Sequence, residues 1–229
     1  MSESTSTATA SDPASLKGFT WWRRKITYQT GLGLTPEAKL QFETDLTIKT
    51  REEDCARCYT YRDQMMQTSP IVRFMLENAQ KVGANISDAN IVCDYCPELM
   101  GGGFHPELGI VLCQNRILSK THLEDTLTHE LVHAFDHNKF NVDWLDLRHH
   151  ACSEIRASTL SGECRLWNEI KKTGFGGFGR KFQTCVKRRA AISVAANPNC
   201  KDKEQAERVV DEVFESCFKD TRPFDEVYK

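Results

Sequence analysis

Ten cysteines between Cys55 and Cys217 constrain the fold of this 229-residue chain more than any other feature. Each closed pair would hold two distant segments side by side and remove entropy from the unfolded chain. An even count predicts pairing, which persists only in an oxidising compartment; reduced, buried thiols are the competing reading. The candidates are Cys55, Cys58, Cys93, Cys96, Cys113, Cys152, Cys164, Cys185, Cys200 and Cys217. Cys55-x-x-Cys58 and Cys93-x-x-Cys96 also have the form of a four-thiolate zinc site. The stretch between them exceeds the ~15–20 residues of a zinc ribbon, and no βαβ pattern suggests a thioredoxin-like motif. Cys185 and Cys217 fall on the two arms of a helical hairpin and can bridge it, while a bridge from Cys152 would fix its own helix. Full pairing, with essentially no free thiol, is the expectation.

An apolar fraction of 40% and a charged fraction of 27% are ordinary for a globular protein. The net charge of −2 provides no global field toward nucleic acid, and no nucleic-acid partner is expected. No apolar run approaches the ~18–20 residues of a membrane-spanning helix. Residues 1–16 are rich in Ser, Thr and Ala and lack arginine, so they read as a disordered tail rather than a signal or transit peptide. Residues 17–229 then form a single domain. Trp21-Trp22-Arg23-Arg24-Lys25 suits either a membrane interface or a buried anchor beside a solvated charge run.

Residues 36–66 predict a charged helix. Ser69 and Pro70 open another, which carries Ile71, Phe74, Met75 and Val82 and stops at Gly83. Ile91-Val92-Cys93 and Ile110-Val111-Leu112 predict short strands, separated by Gly101-Gly102-Gly103. Helices follow from Ser119 to about Asn138 and from about Trp144 to Leu160. A glycine-rich loop spans 174–179, and residues 175–229 contain a helical hairpin broken at Asn197-Pro198-Asn199. Strands followed by helices indicate an α+β fold. A short sheet ahead of a histidine-bearing helix is also the order a zincin requires.

That helix carries His129-Glu130-Leu131-Val132-His133. Two histidines four apart project from one helical face, as two nitrogens at ~2.0–2.1 Å from one zinc ion require. Glu130 lies about 100° around the helix, placed to take a proton from water without ligating the metal. Leu127, Leu131 and Ala134 back the helix against a core, unlike a solvated face with two surface histidines. A third protein ligand is needed, and Asp136, His137, Asp143, His149, His150 and Glu154 are nearby. His137 lies too far along the helix, and no glycine after His133 permits a tight return. Glu154, on the next predicted helix, is the leading choice and Asp136 the alternative. His150 shares a face with Glu154 and can donate to a tetrahedral oxyanion, orient a ligand, or be a satisfied interior histidine. Arg156 can pair with a ligand carboxylate, with substrate, or with a surface ion.

Taken together, the blocks His129–His137, Trp144–Ser158 and Ser161–Cys164 resemble the mitochondrial metalloproteases that process and help assemble the ATP synthase membrane sector. Cys93-Asp-Tyr-Cys96 and Gly101–His105 belong to the likeness, which runs from about Trp21 to the C-terminus. Glu154-Ile155-Arg156-Ala157 is similar to the Glu-x-x-Ala ligand helix of gluzincin proteases. The residues themselves predict a zincin-like zinc protease with one catalytic Zn2+ and a disulfide-stapled helical C-terminal region, and the resemblance agrees with that. The resemblance implies residence in the intermembrane space, peripherally on the inner membrane. It further implies removal of the presequence of ATP synthase subunit 6 (subunit a), and separate help in joining that subunit to membrane-sector assembly intermediates. Two other readings stand: an assembly chaperone with a vestigial protease site, and a thiol-redox or zinc-ribbon protein.

Overall fold

The computed structural model describes residues 11–164 and 178–225. The first ten residues of the expected tail and most of the 174–179 loop lie outside that range. The chain divides into two compact units, Met1–Arg57 and Cys58–Lys229.

In the first unit a 3-10 turn, Pro13–Leu16, leads into α1 (Gly18–Thr30), which Gly31 ends in the left-handed region. The opening of α2 (Pro36–Thr68) follows. Asp45 organises this unit: its buried carboxylate accepts from Ser11 N at 3.1 Å, Ser11 Oγ at 2.7 Å and Gln41 Nε2 at 3.1 Å, and pairs with Arg24. Leu16 and Phe42 are buried. The expected tail therefore ends earlier than its composition suggests, because Ser11 and Leu16 each find a buried partner or site.

The second unit contains the rest of α2, then α3 (Pro70–Lys81), β1 (Ile91–Asp94), β2 (Gly102–His105), β3 (Gly109–Cys113), α4 (Lys120–Phe140), α5 (Leu147–Leu160), α6 (Phe178–Ala195) and α7 (Lys203–Lys219). A small sheet among many helices gives an α+β architecture. The strand order is β1-β3-β2, with β1 parallel and β2 antiparallel to β3. Helix starts follow their caps: Ser69 accepts from Val72 N, Ser119 from His122 N, and Asp202 from Gln205 N. α5 starts after Trp144 because Asp146 accepts from both Arg148 N and His149 N. β2 is the strand hidden by its glycines. A Cβ on Gly102 would lie 2.8 Å from Val111 O and 3.0 Å from Thr126 Cγ2, so only glycine lets this strand press against both β3 and α4.

Two apolar clusters fill this unit. One joins the sheet to α3 and α4, with Met75, Ile91, Leu112, Leu127 and Leu131 buried. The other joins α5 to α6 and α7 through Ile155, Val186, Val194, Val210 and Phe214. Four disulfides staple them: Cys58–Cys93, Cys96–Cys113, Cys152–Cys217 and Cys164–Cys185. The expectation of ten paired cysteines is corrected to eight, since Cys55 and Cys200 are free. The Cys200 thiol instead donates to the Asp202 carbonyl at 3.2 Å. Cys58 leaves its own C-x-x-C pair to reach β1, which removes the four-thiolate zinc site. Cys185 and Cys217 do not bridge the hairpin. Each ties one arm of it back toward α5, Cys217 directly and Cys185 through the turn that follows.

Candidate active site

α4 brings Leu123, Leu127, Leu131 and Ala134 into the first core and turns Glu130 and His133 into a second buried face. Gly102 sits against that face, where a Cβ would lie 3.4 Å from Glu130 Cγ. α5 supplies the opposing wall. His129 Nε2 is 3.5 Å from one Glu154 oxygen, and His133 Nε2 is 3.4 Å from the other. Donor atoms from these three residues all lie within 4.8 Å of one another. Ligands bound at ~2.0–2.1 Å to one tetrahedral ion stand roughly 3.3 Å apart. The donor set and its spacing therefore fit a single divalent metal.

The other ring nitrogen of His133 is held by a hydrogen bond, and that of His129 faces a carboxylate. Ser153 Oγ donates its one proton to Asp136 Oδ2 at 3.0 Å, so it accepts from His133 Nδ1 at 2.8 Å. His133 Nε2 is thereby left with its lone pair toward Glu154. On the other side, His129 Nδ1 lies 3.3 Å from Glu163 Oε1. Glu163 also accepts from Ser158 Oγ at 2.6 Å and pairs with Arg189. The site favours positive charge at its centre. Burial opposes ionisation of Glu154 and Glu163, yet the neighbouring histidines, and Arg189 for Glu163, outweigh it and hold both carboxyls well below their ordinary range. Burial likewise opposes a charge on His129, but Glu163 and Glu154 raise its pKa well above the usual histidine value. Burial raises the pKa of Glu130, only partly offset by His129 and His133, which brings its carboxyl nearer to neutrality.

His150 Nε2 is 3.4 Å from Glu154 Oε1. Asn197, in the α6–α7 connection, settles which ring nitrogen carries the proton. Its Oδ1 accepts from Asn199 N at 3.0 Å, and its Nδ2 donates to Trp144 O at 2.8 Å and to His150 Nδ1 at 2.9 Å. The amide orientation is thus fixed, and His150 presents an Nε2–H toward the site. Asp136 does not join the cluster; Ser153 and Arg156 occupy its carboxylate. Arg156 is neither a surface ion pair nor a site donor. It is 2% exposed and bonds Asp136, Asp220 and the Asp220 and Arg222 carbonyls. Cys152, two residues before Glu154, is bridged to Cys217 and so fixes α5.

Glu163, Ser153 and Asn197 went unrecognised as site residues in the sequence. The structure sets the position of Glu163 from both sides, between Gly162 at φ +93° and the bridged Cys164. A cleft of about 650 Å³ opens beside His150, lined by Phe104, His105, Trp144, Asn197 and Pro198.

A helix-borne histidine pair facing a carboxylate on a second helix, with a buried glutamate between the histidines, belongs to the metallopeptidase class, which works through a divalent metal. Residues 56–225 match the Peptidase M76 family, and the chain belongs to it. It is similar to proteins named mitochondrial inner membrane protease ATP23 in several yeasts. The Meyerozyma guilliermondii protein is 64% identical over 214 residues, covering 93% of this chain and 88% of that protein. The Debaryomyces hansenii protein is 57% identical over 225 residues, covering 98% and 95%. The Saccharomyces cerevisiae protein is 58% identical over 219 residues, covering 93% and 96%. No solved structure matches the chain.

Proposed function

We propose that this chain is a zinc metalloendopeptidase of zincin-like fold, attached peripherally to the mitochondrial inner membrane on its intermembrane-space side. In this reading it removes the N-terminal presequence of ATP synthase subunit 6. It separately assists the joining of that subunit to membrane-sector assembly intermediates. One observation carries the hydrolytic part: His129, His133 and Glu154 converge on one point beside the buried Glu130. The substrate and the assembly role rest on the likeness of the 129–164 block. The relatives' names support the membrane, and four disulfides support an oxidising compartment.

His129, His133 and Glu154 would hold the zinc, which when bound would supply Lewis acidity toward the scissile carbonyl and lower the pKa of water. Glu130 accepts a proton from the attacking water at its carboxylate and passes it to the leaving amine. His150, whose Nε2–H stands beside Glu154, can donate to the negative charge that gathers on the carbonyl oxygen. β2 lies at the sheet's edge among the described strands and can align an extended peptide through its backbone groups. Phe104 and Trp144 give the adjoining cleft an apolar wall for one substrate side chain.

The test is metal analysis of the purified protein alongside cleavage of subunit 6 precursor. About one zinc per chain and one shortened product are expected. Intact precursor after incubation with zinc-loaded protein that still promotes membrane-sector assembly would favour a chaperone with a vestigial site.

A further inference from the structure

α1 has two faces built on the same helical spacing, and only one of them is used within its unit. Trp21, Arg24 and Tyr28 turn toward α2. Trp21 stacks on Phe42 with centroids 4.9 Å apart, Tyr28 lies 4.7 Å from the same ring, and Arg24 pairs with Asp45. Phe19, Trp22 and Ile26 repeat the pattern on the opposite side, about 160° around at 100° per residue. They are 73%, 55% and 40% exposed. Phe19 and Trp22 stack on each other with centroids 5.4 Å apart, which makes one continuous apolar ridge.

Exposed Arg23 and Lys25 fall on either side of that ridge, and Lys17 stands exposed just before the helix. Gly18–Thr30 contains no Asp or Glu. A chain of net charge −2 thus carries a local cationic, aromatic helix face. Long basic side chains beside a buried apolar stripe keep their charges at the headgroups while the rings enter the acyl boundary. Aromatic rings of this kind favour the membrane–water interface. With 13 residues α1 is only about 20 Å long, shorter than the ~30 Å hydrocarbon layer, so it lies in the interface rather than across it. No helix among the described residues is long and apolar enough to span a membrane.

We propose that the Phe19–Trp22–Ile26 face of α1, flanked by Lys17, Arg23 and Lys25, docks the protein on an anionic lipid surface. This rests on the peripheral attachment proposed above and names the surface that makes it. The apolar ridge supplies burial and the cations supply preference for negative headgroups, each Lys or Arg adding to attraction within a Debye length. A protein partner would have no comparable need for a ridge bordered by cations on both sides.

The experiment is flotation of the full chain with protein-free vesicles of phosphatidylcholine, with and without cardiolipin. The probes are wild type, Phe19→Ser/Trp22→Ser, Arg23→Gln/Lys25→Gln, and Leu99→Ser as an exposed apolar control elsewhere. Wild type and the control should float with the cardiolipin vesicles. The aromatic double variant should lose binding about tenfold or more, and the basic double variant should lose the preference for cardiolipin. Both double variants should retain helix content by circular dichroism and cleave a soluble peptide at the wild-type rate, because these residues lie outside the metal centre. Undiminished flotation of the aromatic variant would overturn the assignment while leaving peripheral attachment in place. Failure of wild type to float, with binding to protein-containing mitochondrial membranes intact, would give the face to a protein partner and overturn lipid docking. Peptide cleavage in the same samples reports on the protease reading independently.

Discussion

The stretch from Cys58 to Phe140 packs a sheet, α3 and α4 around one core, whereas the stretch from Asp146 to Phe224 is built of helices around another. Each has two disulfides of its own. The first contributes His129, Glu130 and His133 on one helix. The second contributes Glu154, His150, Glu163 and Asn197 from three separate places in the chain. α5 joins them, with Ala157 and Leu160 in the first core and Ala151 and Ile155 in the second. The difference teaches that a site at such a seam divides its labour. One wall presents the reactive groups, and the other sets their protons, charges and spacing.

The largest effect should come from removing the ligand that crosses the seam. Glu154→Ala should strip the metal as completely as His133→Ala on dialysis, because either change leaves two protein ligands where three are needed. Asp136→Asn should keep the metal. The reverse outcome, with metal lost from the Asp136 variant and kept by the Glu154 variant, would remove α5 from the coordination sphere.

Next in size is the buried tie between the two stretches. Arg156→Met leaves Asp136 without its cationic partner in a buried setting and frees the carbonyls of Asp220 and Arg222. Breaking a buried pair from one side costs about 3–5 kcal/mol, measurable as a shift in denaturant midpoint. A loss under about 1 kcal/mol would mean the two stretches hold together without this tie.

Glu163→Gln should have a smaller effect, confined to the site. It weakens the hold on His129 Nδ1 and the pair with Arg189 without altering any ligand. Metal affinity or activity should fall about 10–100-fold, the range for groups that orient a ligating histidine. Titration with a competing chelator reads this directly. An unchanged affinity would show that α4 alone orients His129.

The same division explains which parts of the site are legible in the amino-acid sequence. The motif helix was legible because its reactive residues and apolar backing share one periodicity, from Leu123 to Phe135. Glu154 was legible as the carboxylate on the next predicted helix, in the stretch Glu154-Ile155-Arg156-Ala157. Glu163, Ser153 and Asn197 were not, since each acquires its role from a residue distant in sequence. β2 was hidden because Gly102 and Gly103 lower strand propensity while their lack of Cβ is what lets the strand approach α4. Cysteine count indicated stapling but not partners. Only the packed helices show that Cys152 meets Cys217 and Cys164 meets Cys185.

In the proposed reaction Glu130 moves protons and does not hold the metal. Glu130→Gln keeps size and burial while removing the basic oxygen. Measured on one sample, its metal content should stay at about one ion per chain while hydrolysis falls roughly 10²–10⁴-fold. Hydrolysis near the wild-type rate, or loss of the metal along with activity, would contradict the account.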